Sequence, residues 1–204
     1  MKIGVLGGTF DPVHNGHIAI ASKAMDSLAL GKVLFIPALE PPLKNRPDVM
    51  PVSYRLEMLR LAIANKSQFE ISTVDVARPG PSYTVDTLLI LRQQYGRRAH
   101  LFFIMGWDSL IELPEWKQPQ KLIKLCKLVA LTRNSAGKPD MRMLEAAVPG
   151  LTARTIFLDI PPIDISSTDI RNRVANGISV HGLVPDEVER YIKRNRLYSE
   201  IIKF

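Results

Sequence analysis

A single cysteine, Cys126, stands among 204 residues, so no disulfide can form within the chain and a reducing compartment is expected. Long apolar runs are missing as well. No stretch reaches the ~18 consecutive apolar residues that a membrane-spanning helix requires. The opening Met1-Lys2-Ile3-Gly4-Val5-Leu6-Gly7 is too short and too glycine-rich for a secretory leader, so a cytoplasmic location without a membrane partner is the expectation. Aromatic residues make up only 7% of the chain and seldom interleave with the basic ones, which speaks against nucleic acid as a partner. Internal repeats and low-complexity tracts are also absent. With 46% hydrophobic and 23% charged residues, the chain has the composition of a packed core rather than of a disordered segment.

Positive charge is present in excess. Twenty-seven Lys and Arg against 20 Asp and Glu give a formal charge of +7, enough to draw anions such as nucleotides or phosphates. Much of it falls between Glu115 and Arg154, where Lys117, Lys121, Lys124, Lys127, Arg133, Lys138, Arg142 and Arg154 outnumber Glu115, Asp140 and Glu145. For any one of these lysines a solvated face is the simpler account.

Apolar runs recur at Ile3 to Leu6, Val33 to Ile36, Phe69 to Val76, Leu101 to Met105, Leu128 to Leu131 and Thr155 to Leu158. Between them lie helical stripes at Leu56, Leu59 and Ile63, at Val85, Leu88 and Leu89, and at Val184, Val188, Tyr191 and Ile192. This alternation predicts an α/β fold, a doubly wound parallel sheet of five to six strands with helices on both faces. The expected organisation is one domain over residues 1–204, with a small C-terminal helical part from about 166. Proline-rich segments at Pro37 to Pro51, Pro79 to Pro81 and Pro161 to Pro162 each follow a strand, where such a sheet carries its ligand-binding loops.

The densest local signal is Gly7-Gly8-Thr9-Phe10-Asp11-Pro12-Val13-His14-Asn15-Gly16-His17, between the first strand and a helix expected to start near Ile18. A strand, a glycine turn and a helix N-terminus make an anion site, because unpaired backbone N–H groups and the positive end of the helix dipole point the same way. No Gly-Lys-Ser/Thr follows, so this is not a Walker loop, and the glycines do not fit the dinucleotide fingerprint. His14 and His17, three residues apart, are expected on one helix face with both imidazoles turned to one phosphate. They lack the i, i+4 spacing, Glu partner and third ligand of a zinc pair, so no protein-held metal is expected there.

Gly8-Thr9-Phe10-Asp11-Pro12 with His14-Asn15-Gly16-His17 resembles the GTFDxxHxGH signature of the nucleotidyltransferase superfamily, which closes around the α-phosphate of a nucleoside triphosphate. Ile165-Ser166-Ser167-Thr168-Asp169-Ile170-Arg171 is similar to the same family's late ISSTxIR motif. Physically, Ser166, Ser167 and Thr168 can cap the next helix, and Arg171 follows one turn on. Across nearly the whole chain the finer pattern resembles the bacterial nicotinate mononucleotide adenylyltransferases: Pro41-Pro42-Leu43-Lys44, Arg55-Leu56-Glu57-Met58-Leu59, Gly80-Pro81-Ser82-Tyr83-Thr84, Ile104-Met105-Gly106-Trp107-Asp108-Ser109-Leu110, Pro114-Glu115-Trp116, and Leu183-Val184-Pro185 through Tyr198.

That resemblance implies a Rossmann-like fold and adenylyl transfer from ATP to nicotinate mononucleotide, with Mg²⁺ carried on the phosphates. It places His17, His14 and Lys44 at the reacting phosphates. Gly7, Gly8, Thr9, Phe10, Gly16, Gly106, Asp108, Ile165, Ser166, Ser167, Thr168 and Arg171 fall on the ATP side, with Arg171 at the β and γ phosphates. Lys44, Tyr83, Thr84, Asp108 and Trp116 fall on the acceptor side, Trp116 against the pyridine ring and Asp108 at a ribose. One departure stands out: Leu43 occupies the place of the family's usual His in Pro-Pro-His-Lys. Two other readings stay open: a small nucleotidyltransferase using nicotinamide mononucleotide or phosphopantetheine, which would share both phosphate motifs, and a basic nucleic-acid-binding module, which the +7 charge admits.

Overall fold

The computed structural model describes residues 1–40, 49–133, 140–161 and 164–199. The apolar runs become strands because a parallel sheet buried on both faces has no polar side to alternate with. Strands β1 (Lys2–Gly8), β2 (Lys32–Pro37), β3 (Phe69–Ile71), β4 (His100–Gly106), β5 (Lys127–Arg133) and β6 (Thr155–Ile160) form one parallel sheet in the order β3-β2-β1-β4-β5-β6. Successive side chains go to opposite faces. Leu6, Val33, Phe35, Ile104 and Val129 pack into one core, while Ile3, Val5, Leu34, Phe103 and Leu128 pack into the other.

The first core is closed by α1 (Asn15–Leu28), α2 (Val52–Ile63), α8 (Ser167–Ala175) and α9 (Asp186–Arg194), which contribute Ala21, Leu59, Ile170 and Val188. The second is closed by α3 (Thr84–Tyr95), α4 (Trp107–Ile111), α5 (Pro119–Leu125), α6 (Met141–Ala147) and α7 (Leu151–Arg154), which contribute Leu88, Leu110, Leu122, Leu144 and Leu151. Gly4 is needed in the middle of β1: a Cβ there would lie 2.9 Å from Leu30 and 3.0 Å from Val33. In α9, Asp186, Glu187 and Glu189 occupy the first turn and Lys193 and Arg194 the last, so charge complements the helix dipole.

The chain winds outward from β1 to β3, returns to β4 beside β1, then continues to β6. That reversal leaves a crevice at the carboxyl ends of β1 and β4, where open α/β sheets bind ligands. Gly7 and Gly8 end β1, and Gly106 ends β4.

Two sequence expectations are corrected. The run Phe69 to Val76 is strand only to Ile71. Ser72 still donates to the Phe35 carbonyl, but Ala77 then donates to the Thr73 carbonyl and folds the chain into a turn. Val74 covers the second core and buried Asp75 accepts from Thr87, so burial there comes from helix α3 and not from strand pairing. Helix α1 begins at Asn15 rather than near Ile18, because extended His14 serves as its N-cap.

Candidate functional site

Leaving β1, the chain passes Gly8 and turns through Phe10, whose φ of 50° is left-handed. A Cβ on Gly8 would meet the Phe10 ring at 3.1 Å. The glycine lets that ring fold beneath the loop, against Phe35 at 5.8 Å and edge-on to His17 at 5.0 Å. Phe10 is thus a core residue by its side chain. What it can offer a nucleotide is its backbone N–H, which, like that of Thr9, donates to no described residue.

The two histidines do not share a helix face. His14 precedes the helix with φ −142° and ψ 168°, His17 lies in its first turn, and their rings stack with centroids 3.7 Å apart. The His14 N–H donates to His17 Nδ1 at 3.2 Å. Since Nδ1 accepts, a neutral His17 carries its proton on Nε2, which makes Nε2 a donor. Burial pushes the His14 imidazole down to about 4, so it is uncharged at neutral pH. His14 is 7% exposed, and its Nδ1 is buried without a partner among the described residues.

The late motif docks on this loop. Ser166 caps α8 by accepting from the Asp169 N–H at 3.0 Å. The Ser167 hydroxyl donates to the Pro12 carbonyl at 3.0 Å. Arg171 donates through Nη1 to the Asp11 carbonyl at 2.8 Å and through Nη2 to Thr168 Oγ1 at 3.3 Å. Ile165 is half-buried against the first core. Segments some 155 positions apart therefore form one wall.

Sequence reasoning assigned no role to the groups behind that wall. Arg55, 1% exposed, donates to the carbonyls of Thr9 (2.7 Å), Ala38 (2.9 Å) and Met50 (2.8 Å). The Asp11 carboxylate, also 1% exposed, accepts from the Tyr198 hydroxyl at 2.7 Å and from the Met50 N–H at 3.3 Å. An acid within the glycine loop and an Arg opening an otherwise apolar helical stripe were the available signals.

On the far side of the loop a cleft of about 700 Å³ runs from Gly7, Gly8 and Thr9 to Tyr83, Thr84 and Trp116. Tyr83 precedes α3 and Thr84 opens it, so the helix N-terminus faces the cleft. Trp116 packs edge-on against Phe103 at 6.0 Å, and its Nε1 is buried without a partner among the described residues. Lys117 Nζ lies 4.4 Å from the Tyr83 ring centroid and bonds Asp86 at 2.9 Å. Buried Asp75 holds Arg78 and Thr87, and Arg78 donates to the Pro81 and Tyr83 carbonyls, which fixes the approach to α3. Gly106 and Asp108 sit exposed at the end of β4 and the start of α4, outside the cleft lining. Gly16 is buried in the first turn of α1. Lys44 and Leu43 lie outside the described residues.

A glycine loop and a capped helix meeting at the reversal point of an open parallel sheet suit a class of proteins that bind nucleotide phosphates, and comparison with known proteins agrees. Residues 5–173 match the cytidylyltransferase-like family model, and the chain belongs to that family. Within it the chain stands among the nicotinate-nucleotide adenylyltransferases. It is 42% identical over 198 residues to a "Probable nicotinate-nucleotide adenylyltransferase" of Dehalococcoides mccartyi, covering 97% of each chain. It is 43% identical over 200 residues to the protein of that name from Thermomicrobium roseum, covering 98% of this chain and 92% of the other. The fold is similar to that of the Plasmodium falciparum nicotinic acid mononucleotide adenylyltransferase solved in complex with NaAD, with a TM-score of 0.74, 17% identity and 97% of each chain covered.

Proposed function

We infer that the protein transfers the adenylyl group of ATP to nicotinate mononucleotide, forming nicotinate adenine dinucleotide and pyrophosphate in NAD biosynthesis. The carrying observation is the docking of Ser167 and Arg171 onto the carbonyls of Pro12 and Asp11 at the sheet's reversal point, in a chain whose full-length relatives bear that name.

A 5′-phosphate oxygen of the mononucleotide attacks the α-phosphorus in line, the α–β bridging P–O bond breaks, and pyrophosphate leaves with that electron pair. The attacking group is already anionic, so no strong base is required. The protein's task is to position two anions and stabilise charge on the transferring group. His17 donates through Nε2 to an α-phosphate oxygen, with the N–H groups of Thr9 and Phe10 beside it. His14 is neutral, so it contributes packing and hydrogen bonding and no charge. Ser166, Ser167, Thr168 and Arg171 meet the departing pyrophosphate, and Lys44 neutralises phosphate charge. Trp116 stacks on the pyridine ring, Tyr83 and the α3 N-terminus at Thr84 receive the carboxylate, and Asp108 reaches a ribose.

Mg²⁺ fits this loop as an ion held by phosphate oxygens and water, because Asp11, the one carboxylate of the loop, is committed to Tyr198 and Met50. When bound it would neutralise developing charge on the phosphates. Among the described residues the one close group of metal-capable side chains is His181, Asp186 and Glu189, which belongs to neither motif.

The test is pyrophosphate release by the purified protein with ATP and, separately, nicotinate mononucleotide, nicotinamide mononucleotide and phosphopantetheine. The acid mononucleotide should be strongly preferred. Preference for either of the others overturns the assignment.

A further inference from the structure

Tyr198 lies 187 positions from Asp11 in sequence, beyond the last helix, yet its hydroxyl is the group that reaches Asp11 Oδ1. The tail is anchored for this purpose. Leu197 and Tyr198 are buried in the first core, and Tyr198 is 8% exposed with a left-handed φ of 63°. Burial, followed by the neighbouring Asp11 charge and their hydrogen bond, raises the phenol above its ordinary range, so it stays a donor at any physiological pH. Arg55 and Arg171 both act electrostatically on the same phenol.

A buried carboxylate is tolerated only when its oxygens are hydrogen-bonded. Oδ2 of Asp11 has the Met50 N–H, and Oδ1 has Tyr198. The same residue presents its carbonyl to Arg171, while the neighbouring carbonyls of Thr9 and Pro12 receive Arg55 and Ser167. With these three carbonyls engaged, the N–H groups of Thr9 and Phe10, which donate to no described residue, are left for an anion.

We propose that Tyr198 is a positioning residue for the ATP side of the reaction: its hydroxyl on Asp11 locks the Thr9–Pro12 loop and, through the Asp11 carbonyl, orients Arg171 for the triphosphate. The C-terminal segment is then a latch on the nucleotide grip. This rests on the adenylyl-transfer reading. The hydroxyl is spent on Asp11 and Tyr198 is not in the cleft lining, whose acceptor end at Tyr83 and Trp116 shares no described hydrogen bond with it.

Tyr198→Phe keeps the ring in the core and removes only the hydroxyl. Steady-state kinetics with each substrate varied in turn should show KM for ATP raised about tenfold, the scale of one lost buried partner, and KM for nicotinate mononucleotide within twofold of wild type. Calorimetric binding of a non-hydrolysable ATP analogue should weaken by the same factor. In an Asp11→Ala background, which removes the acceptor, adding Tyr198→Phe should cost little more, since either change breaks the same bond. A purely structural role would lower melting temperature and leave the two KM values unchanged or shifted equally. That result, or additive penalties in the double variant, overturns the proposal. Failure of the adenylyl-transfer reading would instead appear in the wild-type protein as absent pyrophosphate release, and the calorimetric comparison would still decide the latch.

Discussion

The two ends of the cleft are braced to different degrees. At the phosphate end, Asp11, Arg55 and Tyr198 are almost fully buried and the carbonyls of Thr9, Asp11 and Pro12 each receive a side-chain donor. At the acceptor end, Tyr83, Thr84 and Trp116 are half-buried. Behind them buried Asp75 holds Arg78 and Thr87, while the ion pair that faces the Tyr83 ring, Lys117 with Asp86, has side chains 41% and 33% exposed and adds little rigidity. Stabilising a developing charge requires donors fixed before the charge appears, because reorganisation during reaction would consume the benefit. Selecting a flat ring requires only a face to stack on and a helix end for its carboxylate. Buried bonding reaches the loop itself only at the end where, on the proposed reading, bonds change; at the other end it stops behind α3.

The most damaging way to break that contrast is to remove its central cation. Arg55→Met preserves the stem but leaves the Thr9, Ala38 and Met50 carbonyls without their donor and Asp11 without its neighbouring charge. Denaturant unfolding should show a loss of about 3–5 kcal/mol, the range for stranding a buried ionic partner. A change below about 1 kcal/mol would mean that the phosphate end is no more rigid than the other.

His17→Ala follows in size. Losing one transition-state donor typically lowers kcat by about 10²- to 10³-fold. The affinity for nicotinate mononucleotide should hardly move. If turnover survives intact, the donor assigned to His17 Nε2 is wrong.

Proton uptake at His14 gives a smaller effect. Its folded-state pKa of about 4 lies below the ordinary imidazole value, so below pH 6.5 the unfolded chain binds a proton that the folded chain refuses. Stability is thus fully retained above about pH 6.5 and declines toward pH 4, where the folded protein also protonates. At about 1.4 kcal/mol per pH unit the complete loss approaches ~3 kcal/mol. Urea unfolding from pH 7 to pH 4.5 should reveal the slope, and His14→Gln should remove that part of it.

The same contrast explains what could be read in advance. Continuous apolar runs marked the buried strands to within a residue or two, because both sheet faces demand hydrocarbon. β3 was overextended because Val74 and Val76 carry no sign that Asp75 turns the chain onto α3. Glycines and hydroxyls flagged both segments proposed to bind phosphate, yet spacing could not show that His14 stands outside the helix, stacked on His17, since that depends on the extended backbone of a cap. The bond from Tyr198 to Asp11 was illegible for a different reason. Nothing local links two polar residues 187 positions apart; only the packing of α9 and its tail brings them together.

The smallest predicted effect probes the acceptor end. Trp116 lines the cleft and meets Phe103 in a T-shaped pair rather than a stack, and stacking on an aromatic contributes about 1–3 kcal/mol per ring. Trp116→Ala should raise KM for nicotinate mononucleotide about tenfold while KM for ATP stays within twofold, the mirror image of the split expected for Tyr198→Phe. Trp116→Phe separates two sources of that binding, because it keeps an aromatic face and deletes Nε1, the buried donor without a described partner. Near-complete recovery assigns the energy to the ring. Failure to recover assigns it to the N–H, and a rise in both KM values would mean that the two ends of the cleft are not independent.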